Sequence, residues 1–141
     1  MLRVDENVVR SAAPAAILIV EDDRDLLGLW VDVMGDAGYR VTGAASFEEG
    51  RRSLATSTPD VLLTDIRLGA YNGLQLIIRA RAVNPRLRAF VMTGFPDPVV
   101  RLEAERLRAV HLEKPVDPDR LLELVAESLA DPDPDTRPDY S

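Results

Sequence analysis

Residues 61–68 read Val-Leu-Leu-Thr-Asp-Ile-Arg-Leu, a largely apolar run that carries a single aspartate, Asp65. Short apolar runs without regular polar alternation are typical of strands buried on both faces, as in parallel sheets. We therefore predict a buried strand over residues 60–65. Asp65 then stands at the carboxyl end of this strand, at the mouth of a loop, and is the first candidate for a functional side chain.

Four further segments have strand character, and helical segments separate all five. The predicted strands cover residues 15–20, 39–45, 60–65, 87–93 and 109–113. The predicted helices cover residues 24–37, 47–55, 74–83, 97–108 and 118–130. Ser46 with Glu49 three residues later forms a capping box at the start of the second helix. Five strands that alternate with five helices indicate an α/β domain with a doubly wound parallel sheet.

Length and composition fit one globular domain and exclude several functional classes. The chain has 141 residues, of which 46% are hydrophobic, and no apolar run approaches the roughly 20 residues that span a bilayer. It has no cysteine, which excludes disulfides and thiolate chemistry. The net charge of −7 argues against nonspecific binding to nucleic acid. We expect a flexible leader over residues 1–14, a domain over 15–130, a disordered acidic, proline-rich tail over 131–141, and a cytoplasmic location.

Polar side chains with complementary chemistry follow the predicted strands. Glu21 and Asp22 follow the first strand, Asp65 and Thr93 end the third and fourth, and Lys114 follows the fifth. Ligands of open parallel sheets bind at the carboxyl ends of the strands, where these residues converge. Three carboxylates repel each other unless a hard cation such as Mg²⁺ neutralises them. Asp65 is then a candidate nucleophile toward phosphorus, while Thr93 and Lys114 are suited to bind phosphoryl oxygens.

Four motifs resemble those of the receiver domains of bacterial two-component response regulators. They are ILIVEDD at residues 17–23, VLLTDIRL at 61–68, VMTG at 91–94 and LEKPV at 112–116. Each motif lies at the end of a predicted strand. The resemblance as a whole covers about residues 15–130. It implies the strand order 2-1-3-4-5 in a flavodoxin-like sheet. It also implies a phosphoacceptor that catalyses its own phosphotransfer and slow dephosphorylation, and that is not an enzyme with a separate substrate.

The resemblance assigns a role to each polar residue at the strand ends. Asp65 resembles the aspartate that a phosphohistidine donor phosphorylates. Glu21 and Asp22 resemble the acidic pair that holds Mg²⁺, with the backbone carbonyl of Arg67 as a further ligand. Thr93 resembles the switch hydroxyl, and Lys114 the lysine that pairs with the phosphoryl group, followed by a cis bond to Pro115.

Three features add predictions or depart from the family pattern. Gly69 stands where the family often has proline, which suggests a more mobile loop. His111 stands where the family usually has tyrosine or phenylalanine, and it is either a partly buried strand residue or a proton-sensitive switch.

On the first helix we assign Leu26, Leu29, Trp30, Val33 and Ala37 to the core face. We expect Leu27 and Val31 to be exposed, as scattered surface residues or as a docking stripe for the phosphohistidine protein.

The leading interpretation is a single-domain response regulator that accepts phosphate from a histidine kinase or a histidine phosphotransfer protein. We expect that no output domain follows residue 130. We therefore expect signalling to an unknown downstream protein through the last two helices and the last strand, with no nucleic-acid or membrane partner. The alternative is a pseudo-receiver that binds proteins without being phosphorylated. A haloacid-dehalogenase-type phosphatase is disfavoured because Arg67 replaces its second aspartate, and a nucleotide-binding protein because no glycine-rich loop follows the first strand.

Overall fold

The computed structural model describes residues 14–131, which form a five-stranded parallel sheet covered by helices on both faces. The strands are β1 (Ala16–Val20), β2 (Arg40–Ala44), β3 (Val61–Asp65), β6 (Arg88–Thr93) and β7 (Ala109–Glu113). The helices are α1 (Arg24–Asp36), α2 (Phe47–Thr56), α3 (Gly73–Val83), α4 (Pro98–Arg106) and α5 (Pro118–Ala130). A separate short hairpin pairs β4 (Arg67–Leu68) with β5 (Tyr71–Asn72).

The strand order of the main sheet is β2-β1-β3-β6-β7, with every neighbouring pair parallel. This confirms the predicted doubly wound α/β fold with the order 2-1-3-4-5 and five helices. The central strands are buried along their whole length, because helices cover both faces of the sheet. Buried apolar side chains form two clusters, one against each face. The predicted leader and tail, apart from Pro14 and Asp131, lie outside the described residues.

The core face of α1 differs from the prediction. Leu29 is 45% exposed and Ala37 is also exposed, whereas Met34 is fully buried. Leu27 and Val31 are half-buried and pack against the core, so the prediction that they are exposed is wrong.

The physical reason is Gly43 on the neighbouring edge strand β2. A Cβ atom at Gly43 would lie 3.0 Å from Val31 Cγ2 and 3.3 Å from Leu27 Cδ1. The missing side chain lets α1 turn these two residues toward β2, and Leu29 is left on the solvent side. A docking role for Leu27 and Val31 stays a prediction, but exposure no longer supports it.

The segment after Asp65 is ordered by the hairpin, where the sequence suggested only a mobile loop. Gly69 makes the turn with a φ of 64°, a conformation that glycine adopts without steric cost. Asn72 then caps α3 in a capping box with Gln75. The Tyr71 ring stacks on Phe47 of α2, with 4.5 Å between the ring centroids. Within residues 14–131, no helix is long and apolar enough to cross a membrane.

Candidate functional site

Backbone hydrogen bonds hold the predicted site residues at the carboxyl edge of the sheet. The Glu21 amide donates to the Ala44 carbonyl at 3.0 Å, and the Lys114 amide donates to the Thr93 carbonyl at 2.8 Å. Thr93 and Asp65 are the last residues of their strands. These bonds continue the ladder beyond the strands, so residues distant in sequence are placed at one edge with little freedom.

Three carboxylates and one ammonium group form the centre of this edge. Single oxygens of Glu21, Asp22 and Asp65 all lie within 4.8 Å of one another. Glu21 and Asp65 are buried, and Asp22 is exposed. The Lys114 Nζ atom lies 2.8 Å from Glu21 Oε1 and 3.2 Å from Asp65 Oδ2. The candidate metal-ligand atoms are hard carboxylate oxygens, which Mg²⁺ prefers. The combined negative charge of the three carboxylates exceeds the positive charge of Lys114.

The environment favours the protonated form of Asp65. Burial raises the pKa of Asp65, the charge of Glu21 adds to this rise, and Lys114 partly counteracts both, so that the pKa moves from 3.8 to about 6. For Lys114, burial lowers the pKa, but the hydrogen bond to Glu21 and the charge of Asp65 outweigh burial and raise it above its ordinary value. The ionised form of Asp65 is therefore electrostatically costly in the folded protein unless a cation other than Lys114 is bound nearby.

This cost predicts how stability depends on pH in a chelator-containing buffer. Because the pKa of Asp65 is higher in the folded chain than in the unfolded chain, the folded chain holds the proton more tightly between pH 3.8 and about 6. The contribution of Asp65 to the free energy of unfolding should therefore fall as the pH rises through that window, by about 1–3 kcal/mol. Urea denaturation at a series of pH values measures it. The free energy of unfolding of the wild type should fall relative to that of Asp65→Asn over this window. A difference between the two that does not change with pH would contradict the account.

The hydroxyl of Thr93 is engaged by the loop that follows β6. It donates to the Phe95 carbonyl at 2.9 Å and accepts from the Phe95 amide at 3.2 Å. Thr93 itself is 3% exposed. Its side chain therefore lies at the carboxyl edge, as predicted, but its hydroxyl is bonded to its own loop.

Arg67 contacts the same loop through its side chain. Its guanidinium carbon lies 5.4 Å from the centroid of the Phe95 ring, a cation–π contact. The backbone of Arg67, whose carbonyl is the predicted metal ligand, is fixed by its pairing with Asn72 in the hairpin.

His111 lies in β7, opposite Val91 of β6, and is half-buried. Its Nε2 atom is buried and has no hydrogen-bond partner among residues 14–131. Burial lowers the pKa of His111, and the charge of Arg101 lowers it further, against the opposing charges of Glu113 and Glu105. The neutral form is favoured. The role of His111 as a switch stays a prediction.

One residue of the site, and the contacts of another, were not identified from the sequence. Gly73 begins α3 against the backbone of Asp65, and a Cβ atom there would lie 2.1 Å from the Asp65 carbonyl oxygen. The Asn72–Gly73 pair, where a helix cap meets a glycine, was the available signal. The contacts of Phe95 could not be predicted, because they depend on two loops that are far apart in sequence.

The chain is an α/β protein with an open parallel sheet, and it carries a lysine-paired acidic group at the carboxyl edge, where proteins of this class bind their ligands. A family model of the response regulator receiver domain matches residues 17–126. The chain therefore belongs to the response regulator receiver domain family, and this confirms the resemblance seen in the sequence.

Similar proteins include transcriptional regulators that are much longer than this chain. The transcriptional regulatory protein GlrR of Escherichia coli (strain K12) is 32% identical over 129 residues, which cover 89% of this chain and 29% of GlrR. The DNA-binding transcriptional regulator NtrC of Klebsiella pneumoniae is 33% identical over 113 residues, which cover 79% of this chain and 24% of NtrC. The chain thus spans less than a third of the length of these relatives.

Solved structures of similar domains share the fold along nearly their whole length. A CheY-like receiver domain protein from Methanospirillum hungatei JF-1 has a TM-score of 0.79 at 28% identity, with 84% of this chain and 95% of that chain covered. The N-terminal domain of a protein from Wolinella succinogenes has a TM-score of 0.75 at 30% identity, with 82% and 94% covered.

Proposed function

We propose that Asp65 accepts a phosphoryl group from a phosphohistidine on a histidine kinase or a histidine phosphotransfer protein. The observation that carries this proposal is the contact between the Lys114 ammonium and Asp65 at 3.2 Å, within a group of three carboxylates. A nucleophilic carboxylate needs nearby positive charge to approach a phosphoryl group that is itself negative. Lys114 lies where it supplies that charge.

In the transfer step, a carboxylate oxygen of Asp65 attacks phosphorus as the bond from phosphorus to the donor histidine nitrogen breaks. The imidazole leaves with the electron pair and takes up a proton, and an aspartyl phosphate remains. In this proposal Lys114 pairs with a phosphoryl oxygen, and Thr93 donates a hydrogen bond to another once its hydroxyl leaves Phe95. The same residues support self-catalysed transfer and slow autodephosphorylation, so the chain acts as a phosphoacceptor with no separate substrate.

The acidic group fits Mg²⁺ as the cofactor of this reaction. Carboxylate oxygens of Glu21, Asp22 and Asp65, with the backbone carbonyl of Arg67, would hold it. When bound, Mg²⁺ neutralises the charge that phosphoryl oxygens and carboxylates accumulate during transfer. The raised pKa of Asp65 supports the assignment, because burial and the charge of Glu21 make its carboxylate costly, and a bound cation would reduce that cost.

We further propose that the chain signals as a single receiver domain, residues 15–130, through contacts with a downstream protein in the cytoplasm. The net charge of −7 supports a protein partner over nucleic acid or an anionic membrane surface. Regulation of transcription is a property of the named relatives, whose sequences extend far beyond the matched part.

The competing function is a pseudo-receiver that binds partners without phosphorylation, which the half-buried His111 and the glycine at position 69 favour. Incubation with acetyl phosphate and Mg²⁺, followed by intact mass spectrometry, separates the two. The proposed function predicts the gain of one phosphoryl group, and chelation of Mg²⁺ should reduce the rate by at least about tenfold. An unmodified mass in Mg²⁺ would favour the pseudo-receiver.

A further inference from the structure

The hydroxyl of Thr93 must change partners before it can serve a phosphoryl group on Asp65. It now donates to the carbonyl of Phe95 and accepts from its amide, so both bonds tie it to the loop after β6. The position of this loop therefore decides where the hydroxyl points. Whatever holds the backbone of Phe95 in place also holds Thr93.

Packing against the core does not hold this loop. The Phe95 side chain is 67% exposed, and a Cβ atom built on Gly94 would have no neighbour within 4 Å. The ring of Phe95 contacts the guanidinium of Arg67, which lies above it. Arg67 follows Asp65 by two residues and is itself anchored in the hairpin. The contact thus joins the loop of the acceptor to the loop of the hydroxyl.

We propose that Arg67 and Phe95 form a latch that holds Thr93 in its resting orientation and so opposes phosphorylation of Asp65. The inference rests on the proposed function of Asp65 and adds two positioning residues to it. Opening of the latch releases the Phe95 backbone, and the Thr93 hydroxyl becomes free to turn toward the phosphoryl group. The strength of the latch sets the fraction of molecules ready to bind that group.

Beryllofluoride, a phosphoryl mimic that binds an aspartate without covalent turnover, tests the latch in the presence of Mg²⁺. Phe95→Leu keeps an apolar side chain of similar size but removes the ring. We expect it to lower the dissociation constant measured by calorimetry by about two- to fivefold, the range that an exposed cation–π contact provides. Ile78→Ala, which shortens an exposed apolar side chain on α3, is the control and should leave the constant unchanged.

Arg67→Met separates the latch from other effects of the arginine charge. In the Arg67→Met background, Phe95→Leu should have no further effect, because the contact is already lost. Equal effects of Phe95→Leu in both backgrounds would overturn the latch. An unchanged affinity for beryllofluoride, together with faster hydrolysis of the aspartyl phosphate in Phe95→Leu, would also overturn it, because the pair would then act by keeping water away from the phosphoryl group. Failure of the wild-type chain to bind beryllofluoride would overturn the proposed function and the latch together.

Discussion

Asp65→Asn is expected to abolish phosphoryl uptake from acetyl phosphate while the chain stays folded. The amide has no anionic oxygen to attack phosphorus, so the loss should exceed about a thousandfold and appear as an unmodified mass. Asparagine has nearly the same shape as aspartate. It also removes one of three mutually repelling carboxylates, so the free energy of unfolding at pH 7 without Mg²⁺ should not decrease.

Asp32→Asn is the matched control, because Asp32 is an exposed aspartate on α1, outside the acidic group. It should take up one phosphoryl group at the wild-type rate. If Asp65→Asn still gains a phosphoryl group, the acceptor is another residue, and the roles assigned to Lys114 and Thr93 fall with it.

Gly73→Ala is expected to have the largest effect on stability. The added Cβ atom would lie 2.1 Å from the Asp65 carbonyl oxygen and 2.7 Å from Thr64 Oγ1. Neither atom is at the end of a flexible side chain, so the first turn of α3 or the acceptor strand must move. We expect a loss of at least about 2 kcal/mol in the free energy of unfolding, together with slower phosphoryl uptake because Asp65 is displaced.

Gly28→Ala provides the control for Gly73→Ala. Gly28 lies in the middle of α1, and an added Cβ atom would meet no atom within 4 Å. Alanine there should stabilise the chain by about 0.5–1 kcal/mol through helix propensity alone. Urea denaturation of both variants measures the contrast. Equal, small effects of the two substitutions would show that α3 does not press against the acceptor strand.

The fold could be predicted because its signals are local. The runs at residues 17–20 and 61–63 are apolar without alternation, the acids end or follow buried strands, and the lysine directly follows the last strand. The parallel arrangement of these strands then fixes which polar residues meet. The buried face of α1 could not be predicted, because the apolar residues of this helix are spread around much of its circumference. The rotation of the helix depends instead on Gly43, a glycine on the neighbouring strand β2.

Within the site, positions were predictable and orientations were not. The sequence places Thr93 at a strand end, and the family resemblance places Arg67 two residues past the acceptor. No local pattern indicates that the Thr93 hydroxyl bonds to Phe95 or that the Arg67 guanidinium lies over the Phe95 ring. Both contacts depend on how two loops approach each other in the folded chain. The hairpin after Asp65 was missed because its strands have only two residues each, too few for a periodic signal.

The central claim is that the carboxylate of Asp65 carries the phosphoryl group. Reduction of the acetyl-phosphate-treated chain with borohydride converts an aspartyl phosphate to homoserine, and peptide mass spectrometry then locates it. We predict homoserine in place of Asp65, with Asp22 and Glu21 unchanged. Homoserine at another aspartate, or none in a chain shown to be folded and treated with Mg²⁺, would contradict the account.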